Sequence, residues 1–220
     1  MITEGLKEKR AIKYLIYLAG YILTIVSLNS VLNDFVTSKL NIALFVLIAA
    51  LPLVFCSYEF INENYYYESR YSWPLFSHMW FITLFTIVLT ALHIYISYLQ
   101  SKNLVDPYTF QSNYLLHESG LLFWFLIFSV GIVVPILQAL IATAFFFNYL
   151  FTEDNVAIAI IGIITSGIVF GLLNYQFSLP LFYMQTLTGI LIAWSFLKSQ
   201  AIWVPLYFAI VSGLLTVVLI

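Results

Sequence analysis

A chain of 220 residues that is 63% hydrophobic, 19% aromatic and 8% charged, with a mean hydropathy of +1.00, has too little charge to cover a soluble globule of its size. The formal net charge of −2 says little by itself, and nucleic acid is not an expected partner. The composition fits an all-α, polytopic integral membrane bundle, with the lipid bilayer as its surroundings.

In chain order, Met1 to Lys13 is short and basic, with Lys7, Lys9, Arg10 and Lys13 ahead of an apolar run from Tyr14 to about Leu32. The run ends in SLNSVL with no small-residue cleavage site, so it is expected to be a retained first span rather than a signal peptide. Further spans are expected at about Leu40–Tyr58 and Met79–Leu99. Between them, Glu59, Glu63, Glu68 and Arg70 mix with Tyr65, Tyr66, Tyr67, Tyr71 and Trp73, a pattern expected to lie along the membrane interface as an aromatic belt or a lipid or peptide contact. Gln100 to Ser119 then forms the longest polar loop.

Gly120 to Leu150 contains no charged residue, and as one straight helix it would rise roughly 46 Å, more than the about 30 Å of a hydrocarbon core. One long element bent at Pro135 is expected; two elements there would make eight spans in all. With Val156–Leu173, Leu179–Leu197 and Ala201–Ile220 the sum is seven. With a cytoplasmic N-terminus in the cell membrane, seven spans place Lys7, Lys9, Arg10, Lys13, Arg70 and Lys198 inside and Lys39 and Lys102 outside; eight would move Lys198 outside. The chain reads as one integral unit: N-terminal spans over 1–119 and a helical core over 120–220.

From Gly120 onward the only charged side chains are Glu153, Asp154 and Lys198, all in expected loops, and there is no His or Cys. Zinc needs His, Cys or carboxylate ligands, and general acid–base catalysis needs a titratable group beside the reacting bond. Neither is supplied there, so no metal or other cofactor is expected. His93 lies well inside the third span, where a neutral imidazole bonded to a neighbouring helix is the expected role. A site drawn from His78, His93, Glu59 and Glu63 has no HExxH-like spacing behind it. The single cysteine, Cys56, is expected to pack. The C-terminal half instead carries uncharged polar residues on apolar helices: Gln138, Thr143, Asn148, Asn174, Gln185, Thr186, Thr188 and Ser212. In lipid such groups turn inward and bond across helices.

Three stretches resemble a known family. VPILQALIATAFFFNYL is similar to the first motif of the CAAX protease and bacteriocin-processing (CPBP, or Abi) intramembrane proteases, which reads approximately APIxEExxFRGxxFxxL. SGIVFGLLNYQ resembles their FxxxH motif, and AIWVPLYFAIVSG their third, a WVPxxxHxxxN-like helix. In the family the paired glutamates are thought to serve the catalytic water and metal. Carried over by position, the glutamates become Gln138 and Ala139, the arginine Thr143, the second-motif histidine Asn174, and the third-motif histidine and asparagine Phe208 and Ser212.

Glutamine cannot take a proton from water at neutral pH, and asparagine in place of histidine removes a ligand or base. The resemblance therefore implies a degenerate member, a pseudoprotease scaffold with a shrunken polar cavity lined by Gln138, Thr143, Asn174 and Ser212. Its implied partner is another membrane protein, such as a sensor kinase or cell-wall enzyme, which it would bind and regulate. Two other readings stand beside it. One is an active CPBP-type endopeptidase with an unconventional site that draws on His78, His93 or Glu59. The other is a transporter or channel subunit whose path is lined by Gln138, Asn174 and Gln185.

Overall fold

The computed structural model describes residues 2–33, 39–63, 79–116, 119–150, 156–174, 176 and 178–219. The Tyr-rich stretch between the second and third spans, together with His78, His117, Glu118, Glu153 and Asp154, lies outside the described residues. The elements are α1 (Ile2–Leu32), α2 (Lys39–Glu63), α3 (Met79–Ser101), α4 (Thr109–Leu116), α5 (Gly120–Leu150), α6 (Val156–Leu173), α7 (Leu179–Ser199) and α8 (Trp203–Val218), with no strand among the described residues. Six of these helices are long and apolar enough to cross a membrane, and the shorter α8 is also apolar. This is a polytopic helical membrane bundle. The loop expected over Gln100–Ser119 contains α4 and buries Tyr108, Phe110 and Gln111, so it packs onto the bundle.

Gly120–Leu150 is one continuous helix, capped at its start by the Ser119 hydroxyl, which accepts from the Leu122 N–H. Its departure from regularity takes the form of two π-helical stretches, Ser129–Val133 and Leu140–Phe145. The first stretch ends just ahead of Pro135. Residue 135 would donate to Gly131 O in an α turn or to Val130 O in a π turn, and proline does neither. Both carbonyls lie against α8 at Gly213, where a Cβ would sit 2.5 Å from Pro135 Cγ and 2.8 Å from each oxygen. A glycine is needed there for the two backbones to approach, as in small-residue contacts between membrane helices.

The second π stretch is tied to its neighbours through its carbonyls. The Tyr14 hydroxyl of α1 donates to Ile141 O at 3.2 Å, and Ser166 of α6 donates to Ala142 O at 2.6 Å. Tyr17 stacks on Phe145 with ring centroids 4.1 Å apart, which seats α1 along the same stretch.

α6 and α7 form the closest-packed antiparallel pair. A Cβ on Gly189 would meet the Phe170 side chain at 2.5 Å and Gly167 O at 2.9 Å, and one on Gly171 would meet Thr186 Oγ1 at 2.3 Å. At the end of the bundle holding the α1 N-terminus, Lys13 pairs with Glu59 at 2.9 Å. Cys56 is buried, as expected of a packing residue.

Gly213→Ala is expected to destabilise the bundle by about 1–3 kcal/mol, because neither Pro135 nor the two carbonyls can retreat freely. Gly120→Ala should be neutral, since nothing lies within 4 Å of its added carbon. Thermal unfolding in detergent distinguishes the two.

Candidate functional site

α5, α6, α8 and α1 converge on a cavity of about 230 Å³. Pro135 and Gly213 lie in its wall, so the helix crossing that shapes the backbone also shapes the cavity. One turn beyond Pro135, Gln138 projects inward and is 3% exposed. Its amide nitrogen donates to the Tyr21 hydroxyl at 2.8 Å and to Asn174 Oδ1 at 3.0 Å. Tyr21 in turn donates to Leu173 O at 2.7 Å, and Asn174 Nδ2 donates to Phe170 O at 3.0 Å. Leu173 O, at the end of α6, is thus taken up by the same network.

A second group closes the other side. Gln185 of α7 donates to the Tyr108 hydroxyl at 3.1 Å, with Thr216 of α8 beside that hydroxyl. Burial pushes the Tyr108 phenol up to about 12, which keeps it neutral at physiological pH. Ser212 also lines the cavity, and its hydroxyl lies 3.0 Å from His93 Nε2 on α3. The residues Asn29, Thr109 and Gln176 form the rim, at the end of the bundle where α1 finishes and α4 begins. None of the lining residues among those described is charged.

The structure separates the six motif positions into three environments. Gln138, Asn174 and Ser212 line the cavity. Ala139 and Phe208 are buried instead in one apolar cluster with Phe85 and Phe170, and the Phe208 ring lies 5.7 Å from that of Phe85. Thr143, expected in the cavity wall, is not among the lining residues. It sits in the second π stretch and turns its hydroxyl back to Ala139 O, since a buried hydroxyl in lipid satisfies itself most directly on its own helix.

Of the residues considered for an unconventional site, Glu59 is engaged by Lys13, whereas His93 does reach a cavity residue. Tyr21 and Tyr108 were not legible as site residues. Each is one of 16 tyrosines, and in sequence a span tyrosine looks the same whether it anchors to the interface or hydrogen-bonds inside. Asn148 and Thr186, both marked in the sequence as polar residues on apolar helices, have buried side-chain atoms that find no hydrogen-bond partner among the described residues.

A metal of the kind implied by the motif resemblance does not fit these residues. The positions that line the cavity offer two carboxamides and a hydroxyl, Asn174 Oδ1 already accepts from Gln138, and Ala139 and Phe208 offer no ligand atom. Among the described residues no three His, Cys, Asp or Glu side chains come together.

Fold and site together define an integral membrane helical bundle with an uncharged polar cavity at one end. Residues 120–214 match the family described as Type II CAAX prenyl endopeptidase Rce1-like, in the same segment where the motifs resemble such membrane proteases. Neither the curated proteins nor the solved structures gave a match.

Gln138→Leu and Asn174→Leu should each cost about 0.6–2 kcal/mol. The double variant should cost less than their sum, because the lost bond is shared. A double-mutant cycle on detergent unfolding measures that coupling; strict additivity would show that the contact carries no energy.

Proposed function

We propose that this protein does not carry out its family's metal-dependent hydrolysis and acts as a membrane scaffold or regulator, binding a segment of another membrane protein. The observation that carries this reading is the Gln138–Tyr21–Asn174 network. At the positions matching the family's first glutamate and second-motif histidine, two carboxamides bond to each other and to a tyrosine rather than presenting a base and a ligand. Such groups recognise neutral hydrogen-bonding partners and cannot move a proton at neutral pH.

Ala139 and Phe208, in one apolar cluster, close the space that an ion and its ligands would need. With the N-terminus cytoplasmic, as the distribution of Lys and Arg favours, the cavity rim faces the opposite side of the cell membrane. The partner, a sensor kinase, a cell-wall enzyme or another integral protein, would then be engaged from that side. The absence of charge in the cavity wall argues against ion or proton coupling and so against a transporter.

The test is photo-crosslinking in native membranes from a reactive residue placed at the rim, at Asn29 or Thr109. One protein should be captured in fixed ratio, and Gln138→Leu should reduce its capture several-fold. A crosslinking pattern unchanged by that substitution, or spread over abundant membrane proteins, would overturn the reading.

A further inference from the structure

The membrane-embedded hydroxyls of this chain mostly donate to carbonyls of their own helix: Thr24 to Gly20 O, Ser129 to Phe125 O, Thr188 to Met184 O and Thr216 to Ser212 O. Ser212 departs from this habit and pairs with an imidazole. The orientation of that pair follows from the other ring nitrogen. His93 Nδ1 lies 2.9 Å from Leu89 O, and a carbonyl can only accept, so Nδ1 carries the hydrogen. Nε2 is then the acceptor, and the Ser212 O–H donates into it at 3.0 Å.

A hydroxyl donating to an imidazole whose second nitrogen is held by a fixed acceptor is the arrangement of an activated serine. Ser212 also borders a polar cavity, and two amides of that cavity have hydrogens to spare. Asn174 uses one N–H on Phe170 O and Gln185 uses one on Tyr108, which among the described residues leaves the second N–H of each to a carbonyl group entering the cavity.

We propose that Ser212 is a nucleophile with His93 as its base, and that the cavity takes small neutral carboxylic esters. This inference stands independently of partner binding and of the family's metal chemistry. The cavity holds roughly eight waters' worth of space at about 30 Å³ each, which limits the ligand to a short acyl chain, and its uncharged wall disfavours ions.

In the reaction, Ser212 Oγ attacks the ester carbonyl carbon as its proton passes to His93 Nε2. The carbon–oxygen bond to the leaving alcohol breaks, and the alcohol departs with that proton. Water entering past the exposed Asn29 and Thr109 then attacks the acyl-serine, giving its proton to His93, which returns it to Ser212 Oγ as the carboxylic acid leaves.

The full chain, purified in detergent, is treated with a fluorophosphonate probe, and the modified peptide is located by mass spectrometry; release from p-nitrophenyl acetate is followed in parallel. The expected result is modification at Ser212, lost in Ser212→Ala, slowed by about 100-fold or more in His93→Gln, and unchanged in Ser97→Ala. The wild-type labelling rate should also rise with pH through a single titration and then level off, a readout that needs no variant to fold. Labelling of the wild type no greater than of Ser212→Ala, or a rate without that single titration, overturns the proposal. Loss of partner crosslinking with labelling intact would count against the binding role alone.

Discussion

The close crossing of α5 and α8 at Pro135 and Gly213 is the constraint on which the rest depends. A proline in a membrane helix leaves carbonyls that lipid cannot satisfy, and unsatisfied backbone groups are costly there. Here the carbonyls of Val130 and Gly131 lie under Gly213, so α8 approaches where α5 is irregular. That approach brings Ser212 beside the turn carrying Gln138, and both into one cavity. At the second π stretch the contact is of another kind, with the Tyr14 and Ser166 hydroxyls donating to the carbonyls of Ile141 and Ala142. The long helix is therefore held by a close glycine crossing on one side of the Gln138 turn and by two hydroxyl–carbonyl bonds on the other.

The neutrality of the site follows from the same packing. A divalent ion would need carboxylate or imidazole ligands facing one point. The bundle instead directs two amides and a tyrosine toward one another and directs Ala139 and Phe208 into an apolar cluster. Gln138, Asn174 and Tyr21 are joined by neutral partners, which suits a low-dielectric interior better than an uncompensated charge.

Much of this was legible in the sequence. The apolar runs marked the spans, because a helix crossing lipid must be apolar over most of its length. Pro135 marked the long helix as irregular, and the order of the motifs brought Gln138, Asn174 and Ser212 together. What was not legible depends on side-chain direction. Thr143 was expected in the wall because it stands at the motif position of the arginine, yet its hydroxyl turns to Ala139 O. Tyr21 comes from a distant helix, and no local pattern pairs it with Gln138. α4 was read as part of a polar loop because its eight residues are too few to display a helical apolar face. His93 was expected to bond to a neighbouring helix, but which residue it meets is a matter of tertiary packing.

The hydrogen-bonded neutral network of Gln138, Tyr21 and Asn174 does not fit an ion site. Zinc content of the full chain, purified from cells grown in zinc-supplemented medium and measured by elemental analysis, tests it most directly. The account predicts far less than one zinc per chain, unchanged by Asn174→Leu. About one zinc per chain, lost on substituting Gln138 or Asn174, would contradict it.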